Sequence, residues 1–128
     1  MERIKNLFDK TKPSKERGGE AESIALEFLK QQGMRLIARN YHCTNGEIDL
    51  IMEESGTLVF VEVRFRKTST FGSALESIDN RKKSRIIRCA SHYLSTQKIS
   101  KPSRFDVVAL SPNHQRLDID WIPDAFQI

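Results

Sequence analysis

Apolar side chains recur along the chain at two spacings, one helical and one extended. Between residues 16 and 32 they return every three or four residues, which predicts an amphipathic helix that ends at Gly33. The same period predicts a second helix over residues 78–96. The predicted inner faces of these helices consist of Ala21, Ile24, Ala25, Phe28 and Leu29, and of Ile86, Ala90, Tyr93 and Leu94.

Shorter segments rich in β-branched and apolar residues predict five strands. They cover residues 34–41, 46–54, 57–65, 104–110 and 116–122. Turns are expected at Ser55 and Gly56 and at Pro112 and Asn113. The third strand, TLVFVEVRF, is apolar at nearly every position, which is typical of a central strand covered on both faces.

The order of these elements is helix, three strands, helix, two strands, and it predicts an α/β fold. Strands one to three can form a meander, and the following helix is a crossover that makes strand four parallel to strand three. We therefore expect a mixed sheet with an αβββαβ core. Residues 16–128 are predicted to form a single domain behind a flexible N-terminal arm of residues 1–15.

Composition narrows the class of protein. The chain has 128 residues, of which 38% are hydrophobic and 30% charged, as in soluble globular proteins. No apolar stretch approaches the roughly 20 residues that span a bilayer, and the N-terminus has no secretory pattern. These features predict a cytoplasmic protein without a membrane partner. Cys43 and Cys89 lie far apart without companions at metal-ligand spacing, so two reduced thiols are expected rather than a zinc site.

Positive charge is concentrated in one part of the sequence. The net charge is +4, but from Arg64 to Arg104 there are eleven lysines and arginines against two acids. Such a surface attracts polyanions, of which nucleic acid is the commonest, although a merely solvated surface explains the charge equally well. The side chains expected to contact nucleic acid are Arg66, Lys67, Arg81, Lys83 and Arg85.

Two acids interrupt the apolar second and third strands. A two-residue turn at Ser55 and Gly56 pairs residues whose numbers sum to 111, so Asp49 is predicted opposite Glu62, and Glu47 opposite Arg64. A three-residue turn would shift this register by one. Opposed side chains of one face have Cβ atoms roughly 4.5–5.5 Å apart, a distance at which two carboxylates repel each other.

A divalent cation would relieve this repulsion, and hard oxygen ligands favour Mg²⁺ or Mn²⁺. The competing explanation is that Asp49 and Glu62 form ion pairs with nearby arginines. A metal between carboxylates beside a positive surface indicates phosphodiester hydrolysis. Arg64, on the same face as Glu62, is then the cation expected near the attacked phosphate.

The motifs GEIDLI at residues 46–51 and FVEVR at residues 60–64 resemble the D…(E)-x-K signature of the restriction-endonuclease-like, PD-(D/E)XK superfamily. More narrowly, the chain resembles the YraN-like family of small predicted bacterial endonucleases, relatives of archaeal Holliday junction resolvases. The resemblance runs from about Gly18 to Leu110. Its further motifs are Gly18-x-x-x-Glu22, Asn40-Tyr41, Arg81-Lys82 and RFDVV at residues 104–108.

The resemblance implies that Asp49 and Glu62 bind the metal, that Glu22 adds an acid from the first helix, and that Lys82 adds a base from the second. By themselves, Glu22 and Lys82 would be assigned to a solvated helix surface. The motif departs from the superfamily at Arg64, which replaces lysine and cannot act as a base because it stays protonated. Glu47 is expected to orient the ligands or to serve as an extra ligand.

The predicted function is a metal-dependent endonuclease that hydrolyses phosphodiester bonds, with branched DNA among its expected substrates. The alternative is a non-catalytic nucleic-acid-binding module on the same fold, which the arginine at position 64 favours slightly. A purely structural partner protein would leave the acid pair unexplained. Symmetric cutting of a junction would require a homodimer, because one active site makes one nick.

Overall fold

The helices and strands follow one another in the predicted order. The structure, a computed structural model, describes residues 14–44, 46–66, 76 and 78–127. Its elements are α1 (Ser14–Gln31), β1 (Arg35–Cys43), β2 (Gly46–Glu54), β3 (Thr57–Phe65), α2 (Asn80–Thr96), β4 (Ser103–Asn113) and β5 (Arg116–Phe126). Of the predicted N-terminal arm, residues 1–13 lie outside the described part, and α1 already begins at Ser14.

The five strands form one sheet in the order β1-β2-β3-β4-β5. The β3–β4 pair is parallel and the other three pairs are antiparallel, so the predicted mixed sheet with a crossover helix is confirmed. Since β3 is the middle strand, it is covered on both faces, as its unbroken apolar pattern indicated. Neither described helix is long and apolar enough to cross a lipid bilayer.

The two hairpin turns differ in how well the sequence indicated them. Ser55 and Gly56 both adopt positive φ, 49° and 85°, which suits the twist of a tight hairpin and pairs Glu54 with Thr57 as predicted. The prediction for the second hairpin was wrong. Pro112 pairs with Leu117 inside the ladder, and the turn is at His114 and Gln115. A proline is tolerated in a strand at a position where no ladder N–H is needed.

Each face of the sheet is covered by one helix. Helix α1 packs its Ala25 and Leu29, both fully buried, on the face that carries Val59, Val61 and Leu110. Helix α2 packs on the opposite face. Its buried residues are Ile86, Cys89, Ala90 and Tyr93, so the predicted stripe is confirmed except that Cys89 is buried and Leu94 only partly so.

The two cysteines form a disulfide, and the expectation of two reduced thiols was wrong. Cys43 ends β1 and Cys89 lies on the inner face of α2, with their Cα atoms 5.6 Å apart. The sequence separation of 46 residues conceals this proximity, which arises because α2 packs back across β1 and β2. The bond therefore joins α2 covalently to the edge strand.

A buried carboxylate anchors β4 on the α1 side of the sheet. Asp106 is 1% exposed and accepts hydrogen bonds from Arg104 Nε at 3.0 Å, from Trp121 Nε1 at 3.0 Å and from the Asp124 backbone N–H at 2.9 Å. Trp121 also packs edge-on against Phe28 of α1. Trp121 therefore covers the sheet beside α1, and β5 is an edge strand.

Candidate functional site

Backbone pairing between β2 and β3 stops at the point where the acids begin. The predicted register holds from Glu54–Thr57 to Leu50–Val61. At the next position a side chain provides the hydrogen-bond acceptor in place of the backbone, since Asp49 Oδ2 accepts the Val63 backbone N–H at 2.8 Å. Alternation along β2 breaks at the same place, because Ile48 packs with the α2 cluster whereas Leu50 packs with the α1 cluster. Regular alternation along a strand would put both residues on one face, so the strand is irregular here.

Asp49 and Glu62 are buried and face each other at this break, with 7% and 5% exposure. A hydrogen bond between their carboxyl groups favours the protonated form of Asp49. Burial, followed by the hydrogen bond and the negative charge of Glu62, raises the pKa of Asp49 to about 8. The Val63 N–H and the charge of Lys82 oppose this rise in pKa without cancelling it.

Lys82 reaches the acid pair from α2. Its Nζ lies 3.1 Å from Glu62 Oε2, within ion-pair distance. The two atoms are not aligned as a hydrogen bond, and Oε2 is buried without a hydrogen-bond donor. Asp79 sets the start of α2 by capping it, since its side chain accepts the Lys82 backbone N–H at 2.8 Å. The result is a buried anion with a lysine charge beside it and one oxygen still able to accept a ligand.

Glu22 approaches the same acids from α1. Burial and the charge of Asp49 raise its pKa to about 7, while Arg39, 3.8 Å away, acts in the opposite direction. Asn40 hydrogen-bonds to Glu22 and adopts a positive φ of 54°, a conformation that asparagine tolerates better than most residues. The structure therefore brings Glu22 and Lys82 to Asp49 and Glu62, as the resemblance implied.

Glu47 and Arg64 do not meet as the register predicted. The β2–β3 ladder ends before them, and Glu47 instead pairs with His42 of β1, with Oε2 3.3 Å from Nδ1. Arg64 is half-buried beside Ala109 of β4, on the face of β3 that carries Glu62. The prediction failed because it extended a regular ladder through Asp49, where the strands separate.

The basic residues expected to contact nucleic acid do not form one surface, and the three that belong to α2 lie on different sides of that helix. Arg81 is exposed, Arg85 approaches Gly46, and Lys83 lies over the Phe126 ring at 5.9 Å on the β5 side. Arg66 is half-buried at the end of β3, and its backbone N–H donates to the Leu110 carbonyl. Lys67 lies outside the described residues.

The donor set suits a small, hard cation. Asp49 and Glu62 offer carboxylate oxygens only, and the oxygen Oε2 without a donor is the one available. Within residues 14–44, 46–66, 76 and 78–127, no three His, Cys, Asp or Glu side chains converge closely enough to hold a metal by themselves. Mg²⁺ fits such a pair, because it commonly takes one or two carboxylates and fills its remaining positions with water and substrate phosphate.

Sequence reasoning missed three residues around the acids: Arg39, Asn40 and His42. Asn40 was part of a recognised motif but had no role assigned, and nothing in β1 indicated that Arg39 would reach α1. His42 is adjacent to Cys43, so it lies where the disulfide joins β1 to α2. Only the β1–β2 register, with His42 opposite Glu47, identifies its partner.

Known proteins that resemble this chain carry the same family description. The model of "Uncharacterised protein family UPF0102" matches residues 21–110. A UPF0102 protein of Nitrosomonas europaea is 49% identical over 110 residues, covering 86% of this chain and 92% of the relative. One of Nitrosococcus oceani is 45% identical over 116 residues, covering 89% and 94%.

Among solved structures, Pyrococcus furiosus SfsA in complex with Ca²⁺ has a TM-score of 0.33 and 14% identity to this chain. The match covers 84% of this chain and 62% of SfsA, and similarity at this level supports no conclusion about fold or activity. The family match spans α1 to β4, including both acids and Lys82. The chain therefore belongs to the UPF0102 family.

Proposed function

We propose that this protein is a metal-dependent endonuclease that hydrolyses phosphodiester bonds in nucleic acid. The observation that carries the proposal is the buried Asp49–Glu62 pair, with Lys82 Nζ 3.1 Å from an oxygen that has no hydrogen-bond donor. A protein gains no stability from two opposed buried acids, so a functional role is the better explanation. The resemblance of GEIDLI and FVEVR to the PD-(D/E)XK signature, and to Holliday junction resolvases, points to the same chemistry.

Asp49 and Glu62 are the proposed ligands of Mg²⁺ or Mn²⁺. When bound, such a cation supplies positive charge for the phosphate oxygens and makes a water molecule more acidic. Because its raised pKa of about 8 keeps Asp49 protonated at neutral pH, that proton must leave before both carboxylates can bind a cation. Glu22, whose pKa is also raised, is placed to accept a proton near the same site.

Two cations of the chain are proposed to hold the phosphate. Lys82 already lies at the acid pair and can turn its ammonium group toward a phosphate oxygen. Arg64 stays charged at any working pH, so its role is to orient the phosphate or to stabilise charge in the transition state. General-base work therefore falls to the acids rather than to Arg64.

Nucleic acid is the proposed substrate because Lys82 and Arg85 of α2 lie beside the site, in the strongly basic half of the sequence. DNA, including branched DNA, is the substrate class that the resemblance favours, with a homodimer for symmetric cutting. The second candidate is a binding module without catalysis, and the observation that favours it is the arginine at position 64.

A cleavage assay separates these two functions. Purified protein is incubated with Mg²⁺ or Mn²⁺ and with branched, single-stranded and duplex DNA and RNA, beside the Asp49→Asn and Asp106→Asn variants. We expect cleavage by the wild type and a loss of about a thousandfold or more in Asp49→Asn. Asp106→Asn is the control for the loss of a buried carboxylate elsewhere, and its remaining folded fraction should cleave.

Cleavage that survives Asp49→Asn would indicate a contaminant and contradict the mechanism. Binding of DNA without cleavage under any of these conditions would establish the binding module instead. Thermal unfolding with Mn²⁺ tests the metal separately, because a cation that binds only the folded state raises the melting temperature. That rise should vanish in Asp49→Asn and persist in Asp106→Asn.

A further inference from the structure

A cavity of about 350 Å³ opens beside the acid pair, between α2 and the β1–β2 connection. Its volume is at the lower end of the range of roughly 300–1,000 Å³ that is typical of small-ligand sites. The cavity is lined by His42, Gly46, Glu47, Lys82, Arg85 and Ile86. It therefore combines an apolar floor, two permanent cations and one carboxylate.

The cavity depends on a close approach between β2 and α2. A Cβ atom at Gly46 would lie 3.4 Å from Arg85 Cβ, tighter than most contacts of this kind, so any side chain there would press on the helix. Ile86, 4% exposed, forms the floor, whereas Arg85 is exposed. The disulfide at Cys43 and Cys89 holds the same two elements together close to this point.

The cavity adjoins the proposed metal site through Lys82. Lys82 lines the cavity and also reaches Glu62 at 3.1 Å. Glu47, which lines the opposite wall, precedes Asp49 by two residues in β2. Lys82 therefore connects the two places, so a strand with one phosphate at the acid pair can direct its adjacent nucleotide toward the cavity.

We propose that this cavity binds one unpaired nucleotide next to the phosphodiester held at the acid pair. The inference rests on the proposed function, because it places the scissile phosphate at Asp49 and Glu62. Arg85 contacts the flanking phosphate, and the base lies over Ile86. Glu47 repels phosphate, so its carboxylate faces the base, where it accepts a hydrogen bond from an exocyclic amino group.

Two properties of the substrate follow from this arrangement. A base stacked inside a duplex cannot enter a cavity in the protein without leaving the stack, so single strands, flaps and junctions are favoured over continuous duplex. Cytosine and adenine present amino groups to Glu47, whereas thymine does not. His42 also lies at this wall, with its Nδ1 3.3 Å from Glu47 Oε2.

The test measures binding in full-length protein that carries Asp49→Asn, which prevents cleavage during the measurement. Labelled strands of about 12 nucleotides are used: oligo-dC, oligo-dT, an abasic strand with the same phosphates, and a duplex. Dissociation constants are obtained by fluorescence anisotropy with Arg85→Ala, Glu47→Gln and Arg88→Ala added in turn. Arg88, exposed on α2 and absent from the cavity lining, is the matched control for loss of one positive charge.

We expect oligo-dC to bind about fivefold or more tightly than the abasic strand, and the duplex to bind more weakly. Arg85→Ala should weaken oligo-dC by a similar factor, Glu47→Gln should remove the preference for oligo-dC over oligo-dT, and Arg88→Ala should stay within about twofold. Equal thermal stability of the three variants shows that binding changes do not reflect unfolding.

Equal affinity for oligo-dC and the abasic strand, or equal effects of Arg85→Ala and Arg88→Ala, would overturn the cavity proposal. The proposed endonuclease is decided separately by wild-type cleavage. Cleavage combined with base-independent binding would reject the cavity alone. Binding that depends on Arg85 and on the base, without any cleavage by the wild type, would reject the endonuclease and retain the cavity.

Discussion

Two buried aspartates lie on β2 and β4 of the same sheet, with β3 between them, and their surroundings differ. Asp106 is surrounded by donors from Arg104, Trp121 and the Asp124 backbone. Asp49 has one backbone donor and otherwise faces another acid, Glu62, across the end of the β2–β3 ladder. Burial is almost equal, at 1% and 7% exposure, so the difference is in hydrogen bonding and charge.

The comparison separates a structural carboxylate from one for which we propose a functional role. Hydrogen bonds and the charge of an arginine offset the desolvation of Asp106. The same contacts tie β4 to β5. The Val63 N–H and the charge of Lys82 do not offset the desolvation of Asp49, and its pKa rises to about 8. The acid pair therefore costs stability in the folded protein, and a bound cation or substrate is what would compensate.

The largest expected effect is on the free energy of unfolding when each aspartate is replaced by alanine. Asp106→Ala leaves the Trp121 indole without its acceptor and Arg104 with Glu54 alone, and should destabilise the protein by about 3–5 kcal/mol. Asp49→Ala removes the acceptor of the Val63 backbone N–H but also removes a buried carboxyl group that has few favourable partners, so at pH 7 it should change stability by less than about 1 kcal/mol. Urea denaturation measures both, and equal losses would contradict the distinction.

The next effect concerns the disulfide, which restrains the side of the sheet near the acid pair. Reduction of Cys43–Cys89 should lower the free energy of unfolding by about 2–4 kcal/mol, because it frees a long loop in the unfolded chain. Emission of Trp121, beside Asp106, should stay unchanged in the reduced folded protein. A Cys43→Ala/Cys89→Ala variant, insensitive to reductant, is the control, and a large shift in Trp121 emission would show that the two regions are coupled.

The smallest effect is the dependence of stability on pH. The folded pKa of Asp49 is about 8 against an ordinary 3.8, and that of Glu22 is about 7 against 4.5. At pH values between the ordinary and the raised pKa of each residue, Asp49 and Glu22 keep in the folded protein the protons that they have released in the unfolded chain. The free energy of unfolding should therefore be greatest at the acidic end of this range and should fall as the pH rises to about 8.

Asp49→Asn should remove most of this slope, because the amide does not titrate, while the contribution of Glu22 remains. Urea denaturation at several pH values from about 4.5 to about 8.5 provides the measurement. Asp106→Asn serves as the contrasting variant, since it leaves the acid pair intact and should retain the slope. An unchanged slope in Asp49→Asn would mean that the pair does not hold the proton.

Most of the fold followed from local patterns in the sequence. Three signals depend only on residues close together in the sequence. They are the helical periods of α1 and α2, the apolar residues of β3 and the turn at Ser55 and Gly56. They sufficed for the element order and for the register up to Leu50–Val61. The turn at Pro112 was misplaced because proline signals a turn by propensity, whereas pairing with Leu117 depends on the neighbouring strand.

The candidate site was less accessible from sequence, since it depends on contacts between distant segments. Register arithmetic brought Asp49 toward Glu62, but the approach of Glu22 and Lys82 was expected only from family resemblance. The pairing of Glu47 with His42 and the disulfide both depend on how β1 and α2 pack, which no local pattern encodes. The break in alternation at Asp49 also has no sequence signal, because it arises where the Asp49 carboxylate, rather than a backbone carbonyl, accepts the Val63 backbone N–H.

The disulfide also makes a closed covalent ring of the chain from Cys43 to Cys89. That ring contains both acids, Lys82 and the whole connection between β3 and α2. A protease that cuts once inside the ring therefore does not release a fragment, and the proposed metal ligands and their lysine remain on one molecule. Such a nicked protein migrates as a single species until it is reduced, and only then separates into two pieces.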